Sequence, residues 1–251
     1  MCIRDSFSFP GFCGIARGQG CRNGAMTQPN GVHHLAISTA DIKSQIAYFT
    51  DVLGCELVAL YWMHGVDGAW HGFLRLNDSC SVAFVQMDAI KSIGMIPQVT
   101  HALNAGGASA PGTMQHLALN VDTYDDLLAM RDRIRSRGIN VMGPLHHGMC
   151  DSIYFAGPEN LTLEVSTSKE PISARHWIDP EVVALAGISQ EELASYTAPA
   201  AFDRPAAPVP NPPIDWSKPH MEYPKAVYEH LLTMPDEEIT SRFSEDTPPV
   251  P

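Results

Sequence analysis

Residues 144–165 read PLHHGMCDSIYFAGPENLTLEV, and this stretch decides the fold. Two short runs of alternating character flank the turn-forming AGPEN, so the stretch predicts two strands joined by a tight turn. Ser152 and Tyr154 share one face of the first strand, and Thr162 and Glu164 share one face of the second. Ile153, Phe155, Leu163 and Val165 point the other way. One face is therefore apolar, and the other carries a carboxylate. An ionised carboxylate on the interior face of a sheet needs a cation or a metal opposite it. The rest of the chain must supply what faces Glu164.

Immediately before this hairpin the chain forms a unit. MQHLALNV reads as a strand, Tyr124 to Arg137 as a helix with Leu127, Met130 and Ile134 on its inner side, and Gly138 as its stop. Asn140 to Met142, Ser152 to Phe155 and Leu161 to Val165 read as three further strands. The same order occurs earlier. GVHHLAIST reads as a strand, and a helix capped by Thr39 or Asp41 follows, with Ile42, Ile46, Phe49 and Leu53 on one side and Gly54 at its end. Glu56 to Met63, Trp70 to Leu76 and Ser81 to Met87 then read as strands, separated by HGVDGA and NDSC.

The repeat shows in letters as well as pattern. HLAI at 34–37 matches HLAL at 116–119, so His34 and His116 are equivalent positions 82 residues apart. The fold expected is α+β: two paired β-α-β-β-β modules, residues 31–90 and 113–168, closing a metal-binding cleft between their sheets. Two histidines at equivalent strand positions plus Glu164 on a terminal strand form the two-histidine, one-carboxylate set that suits iron(II) and leaves coordination positions open. His34, His116 and Glu164 are therefore the expected metal ligands. His33 has the opposite strand phase and reads as structural.

Composition narrows the partners. The chain has 251 residues, 45% of them hydrophobic, enough for a full core, with no apolar run of membrane-spanning length. The formal charge of -12 argues against nucleic acid and anionic membranes. Six cysteines contain no CxxC pair, and the widely spaced Cys55, Cys80 and Cys150 read as reduced thiols of a cytoplasmic protein.

These residues resemble the vicinal oxygen chelate superfamily, which includes glyoxalases, bleomycin-resistance proteins and ring-cleaving extradiol dioxygenases. The resemblance covers about residues 31–168 and is carried by the HLAI and HLAL strand starts and the SIYFAGPENLTLEV ending. Within the superfamily, the ligand pattern is most similar to extradiol dioxygenases, which hold iron with a histidine at the start of each module and a glutamate on the last strand. That resemblance implies an Fe(II) dioxygenase acting on a catechol or related vicinal-oxygen substrate with O2; Mn(II), Zn(II) and Ni(II) are alternative metals. It also implies catalytic roles for His101, which stands in HAL, and for His147 and Tyr154, which match the run H-x(5,7)-apolar-Tyr. A base must deprotonate the catechol and a donor must assist bound oxygen.

The chain departs from that pattern at Gly157 before Pro158, at Asn160 where glycine is usual, and at Leu145. Asn tolerates a left-handed turn, so the turn can still form. A rival reading is the four-ligand site of glyoxalase- and epimerase-like lyases and isomerases, in which SVAFVQM supplies Gln86 as an extra ligand; with Phe84 there the site has three. A third is a small-molecule binder without turnover. Trp62, His64, Trp70 and His71 read as sheet packing or as an aromatic pocket wall. Nothing beside Cys150 argues for an activated thiolate.

The two ends differ from the middle. Residues 1–30 show no period, and the opening MCIRDS resembles a translated library-adapter sequence, so residues 1–25 are expected to be a disordered artefact with Met26 as the start. Residues 169–251 hold 14 of the 20 prolines and 14 acidic against 6 basic residues. They read as an extension with short helices starting at Asp179-Pro180, at Ser189 with Glu192, and at Pro224, and with Trp177 and Trp216 as packing anchors. Such an extension either wraps the modules or a neighbouring subunit of a homo-oligomer, or is a partly disordered tail. Intact mass spectrometry of the natural protein should find a chain that begins at Met26.

Overall fold

The computed structural model of the chain describes residues 28–251; the expectations for residues 1–25 lie outside the described residues. The first module runs β1 (His34–Ser38), α1 (Ile42–Asp51), β2 (Glu56–Trp62), β3 (Trp70–Asn77) and β4 (Cys80–Gln86). A connection containing the single-turn helix α2 (Asp88–Lys91) leads to β5 (Leu117–Asn120), α3 (Tyr124–Ser136), β6 (Met142–His146), β7 (Asp151–Ala156) and β8 (Thr162–Thr167). Each module forms one four-stranded sheet, in the orders β1-β4-β3-β2 and β5-β8-β7-β6. In both, the first strand pairs parallel to the last and the other pairs are antiparallel. The fold is α+β, as the repeat predicts.

Local chemistry explains the boundaries. Asp41, rather than Thr39, caps α1 by accepting from the Ser44 amide at 3.1 Å. Thr123 and Asp126 form a reciprocal capping box on α3. Gly54 ends α1 at φ 81°, a left-handed position that favours glycine. One expectation fails: the strand predicted over 140–142 is found at Met142–His146. Pro144 fits within β6 because β6 lies at a sheet edge, where a missing N–H leaves no central ladder bond unmade.

The helices cover one face of the sheets and supply the core. Ile42 and Phe49 of α1 meet Leu74, Val82 and Phe84, and Leu127 and Ile134 of α3 meet Ile153, Leu163 and Val165, in one continuous cluster. The opposite face carries His34, Ala36 and Ser38 on β1, all exposed. The modules are joined on the helix side. Arg133 of α3 donates to the carbonyls of Val52 and Asp51 at 2.9 Å, neutralising the C-terminal end of α1. Tyr48 donates its hydroxyl to the Ala156 carbonyl at 2.7 Å, and burial pushes that phenol up to about 12, so it remains a donor.

The tightest link comes from the β7–β8 turn. Glu159 (φ 53°, ψ 34°) and Asn160 (φ 61°) are both left-handed, so the turn forms without the usual glycine. The Glu159 carboxylate then accepts from Thr39 Oγ1 at 2.6 Å, the Ala40 amide at 2.7 Å and Gln45 Nε2 at 2.8 Å, all on the β1–α1 corner.

Beyond β8 the extension carries α4 (Ala174–Trp177), α5 (Pro180–Leu185), α6 (Gln190–Thr197), α7 (Lys225–Thr233) and α8 (Asp236–Phe243). Asp179 caps α5, the Ser189–Glu192 box caps α6, and Pro224 precedes α7. Trp216 packs within the extension, against His220 and Tyr228 and under the Lys225 ammonium. Among the described residues no helix is long and apolar enough to cross a membrane.

Replacing Glu159 by Ala removes three hydrogen bonds to a charged acceptor and should lower the unfolding free energy by roughly 2–4 kcal/mol in urea titrations. Glu159→Gly loses the same bonds but relieves the left-handed backbone, and should cost less than the alanine variant.

Candidate metal centre

Strand register decides which side chains face Glu164. On β8, Glu164 lies between Ala118 of β5 and Tyr154 of β7. His116 precedes Ala118 by two residues and so points to the same side. His116 Nε2 lies 3.0 Å from Glu164 Oε2. Glu164 is only 4% exposed.

The other ring nitrogen of His116 is also engaged. Gln115 Nε2 donates to the carbonyls of Asn104 at 3.2 Å and of Ala105 and Gly107 at 2.9 Å. That fixes the amide so that its oxygen faces His116 Nδ1. His116 thus sits between two acceptors. A cation shared between the Nε2 lone pair and the Glu164 carboxylate would satisfy this arrangement. Two ligands at right angles on one divalent ion, each about 2.1 Å from it, lie about 3 Å apart. The separation and the donor chemistry both fit a shared metal ion.

His34 occupies the matching place on β1. Its Nδ1 lies 2.9 Å from His33 Nδ1, so the preceding residue engages Nδ1 in both modules, His33 in one and Gln115 in the other. The His34 ring stands edge-on to Phe73 and His71, with centroids 5.3 and 6.2 Å away. Among the described residues no group of three or more His, Cys, Asp and Glu side chains is placed to hold a metal ion. The structure brings together His116 and Glu164 and leaves His34 outside that pair, on the neighbouring sheet.

Tyr154 and His147 meet beside the pair. The Tyr154 hydroxyl lies 3.0 Å from His147 Nε2, with the rings edge-on at 6.1 Å. Burial pushes the Tyr154 phenol up, and the nearby Glu164 carboxylate adds to that, while a hydrogen bond from Ser152 opposes it. His101 is placed differently. It lies on the connection after α2, half-buried, with Nδ1 2.9 Å from Thr100 Oγ1 and its backbone bridged to Pro97. Its contacts are with its own loop, not with Tyr154 or His147.

The expectation that Phe84 or Gln86 occupies the fourth-ligand position is wrong. Both lie on the helix side of β4: Phe84 packs edge-on to Phe49, and Gln86 Oε1 accepts from the Ile42 amide at 2.7 Å. Ala36 pairs with Ala83 as Ala118 pairs with Glu164, so Ala83 is the residue equivalent to Glu164. An alanine gives a metal nothing to bind. Val82, Phe84 and Gln86 do share one face of β4, as alternation predicts, but the β1–β4 register puts that face under α1 and leaves Ala83 on the His34 side.

One polar residue near these groups, Gln115, was not legible in the sequence, and a second, His71, was read only as sheet packing or a pocket wall. Gln115 has no motif of its own; its only signal is that it stands before a ligand, as His33 does. His71 is more telling: it is buried, its Nε2 lacks a hydrogen-bond partner, and it shares the His34 face of the sheet with Tyr61 and Phe73. Burial and the neighbouring His34 both depress its pKa, which favours the neutral ring. Trp62 and Trp70 instead pack edge-on against each other on the opposite face, and His64 is exposed in the following turn. Burial pushes the Cys55 thiol up, against the opposing charge of Arg133.

Comparison with known proteins adds the following. Residues 31–165 match the family model described as Glyoxalase/Bleomycin resistance protein/Dioxygenase superfamily. Biphenyl-2,3-diol 1,2-dioxygenase 2 of Rhodococcus globerulus is 24% identical over 132 residues, which span 53% of this chain and 60% of that protein. A glyoxylase/bleomycin resistance protein/dioxygenase domain from Frankia sp. EAN1pec is similar in structure at 15% identity and a TM-score of 0.45, covering 57% of this chain and 100% of the other. An antibiotic binding protein from Streptomyces sp. CB03234 is similar at 16% identity and a TM-score of 0.41, covering 58% of this chain and 100% of its own.

Gln115→Met keeps the length of the side chain but releases both His116 Nδ1 and the 104–107 loop. Its affinity for Fe(II) or Zn(II), measured by competition with a chromogenic chelator, should fall roughly 10–100-fold.

Proposed function

The chain belongs to the glyoxalase/bleomycin resistance protein/dioxygenase superfamily, and on that premise we propose that it is a non-haem Fe(II) dioxygenase of the extradiol type. Its substrate class is a catechol or a related vicinal diol. The observation that carries this reading is the row on the second sheet: His116 at 3.0 Å from Glu164, with the Tyr154–His147 pair on the adjoining strand. His116 and Glu164 would hold the metal together with His34 as third ligand. When bound, iron(II) supplies the positions where a vicinal diol chelates and dioxygen is activated.

This chain's own groups handle the protons. His147, which is exposed, is the final acceptor for a catechol hydroxyl proton, passed to its Nε2 through the Tyr154 hydroxyl 3.0 Å away. Tyr154, with its phenol pushed up, stays protonated beyond the ordinary phenol range and acts as donor to a negatively charged oxygen. His101 is assigned the remaining donor role, on the connection that Gln115 ties to the start of β5. Gln115 and His33 hold the ligand rings by Nδ1, which leaves Nε2 for the metal. Alanine at position 83 disfavours the four-ligand lyase or isomerase reading. Free Cys55, Cys80 and Cys150 accord with a cytoplasmic setting.

The test is anaerobic loading with Fe(II), then oxygen uptake with a panel of catechols. One O2 should be consumed per catechol, both oxygen atoms appearing in the ring-opened product. Glu164→Gln, His116→Ala and His34→Ala should each lose iron and uptake together. Tyr154→Phe should keep iron but turn over roughly 100–1000-fold more slowly. A chain that holds iron yet takes up no oxygen with any catechol points to a lyase, an isomerase or a binder.

A further inference from the structure

We propose that Trp177, in the C-terminal extension, is a positioning residue for His147. The proposal rests on the dioxygenase reading, in which His147 and Tyr154 move protons. His147 begins a four-residue turn, 147–150, between β6 and β7, closed by its amide donating to the Cys150 carbonyl at 2.9 Å. Gly148, the second residue, is left-handed at φ 81°. A Cβ built there would lie 2.6 Å from Trp177 Cη2 and 3.0 Å from Trp177 Cζ2. The indole therefore fills the space that a side chain at 148 would take, and it bears on the backbone next to His147.

Trp177 reaches the turn from outside both modules. It is the last residue of α4, where its amide donates to the Ser173 carbonyl at 3.1 Å. It remains 47% exposed, and a cavity of about 390 Å³ framed by His146, Asp151, Lys169 and His176 opens beside it. The ring is thus braced on the turn side and free on the other. A turn with one backbone bond and a left-handed glycine samples other shapes once that brace is removed. His147 Nε2 is only 3.0 Å from Tyr154, so a small change in the turn separates the two.

The test uses the full chain loaded with Fe(II). Trp177→Ala should speed amide hydrogen exchange at residues 147–150 and lower kcat roughly 10–100-fold, with KM changed by less than about threefold. Trp177→Phe, which keeps a ring, should recover most of the loss. Gly148→Ala drives a methyl into the indole, so it should cost more in the native chain than on the Trp177→Ala background. If Trp177→Ala does not fold, Trp177→Leu carries the same comparison. Unchanged exchange and unchanged kcat in a folded variant overturn the proposal, as do equal costs of Gly148→Ala on the two backgrounds. A native chain that takes up no oxygen overturns the dioxygenase reading instead, and the exchange measurement still decides whether Trp177 braces the turn.

Discussion

One carboxylate holds the two modules in a fixed relation. Glu159 leaves the second module at a left-handed turn and takes three donors from the corner between β1 and α1 of the first. A left-handed glutamate is unfavourable by about 1–2 kcal/mol, and three hydrogen bonds to a charged acceptor more than offset that. Gln45, one of the donors, is fully buried under the turn. Arg133 and Tyr48 reinforce the same joint from the helix side. The relation of the His34 sheet to the His116 sheet follows from this joint, because the links are at the strand ends where the modules meet.

The modules share a fold but have divided the chemistry. Equivalent places hold Ala83 and Glu164, Phe73 and Tyr154, and His33 and Gln115. The second module has the carboxylate, the phenol and the fixed amide; the first keeps a histidine and surrounds it with aromatic rings. The result is a polar half around Glu164 and a half lined largely by aromatic rings around His34. Buried His71, with one nitrogen unpartnered, interrupts the apolar half. The division also explains why the fourth-ligand expectation failed: the first module's last strand turns Ala83, not Phe84 or Gln86, toward the His34 face.

The extension is not a passive tail at every point. Its α4 segment carries Trp177 to the turn beside His147, whereas Trp216 contacts only neighbours within the extension. Both were expected as anchors on aromatic character alone. Their difference depends on which surface lies within reach, and no feature of the flanking sequence encodes that.

Alternation and the 82-residue repeat were enough to set the module order, the helix starts near Thr39–Asp41 and at Tyr124, and the faces of β7 and β8. These are local properties: a period of two or of 3.6 and a cap within three residues leave their mark on the nearby sequence. The pairing of His116 with Glu164 followed from the same periodicity applied to equivalent strands. Tertiary structure alone decided the rest. The edge position of β6 makes Pro144 tolerable, the β1–β4 register sets which of Ala83, Phe84 and Gln86 faces the His34 side, and Gln115 is fixed by three carbonyls of a loop up to 11 residues away. The indole of Trp177 depends on a contact across nearly thirty residues. Each is a matter of register or packing between distant segments, where a shift of one residue or a few ångströms reverses the outcome and leaves the sequence pattern unchanged.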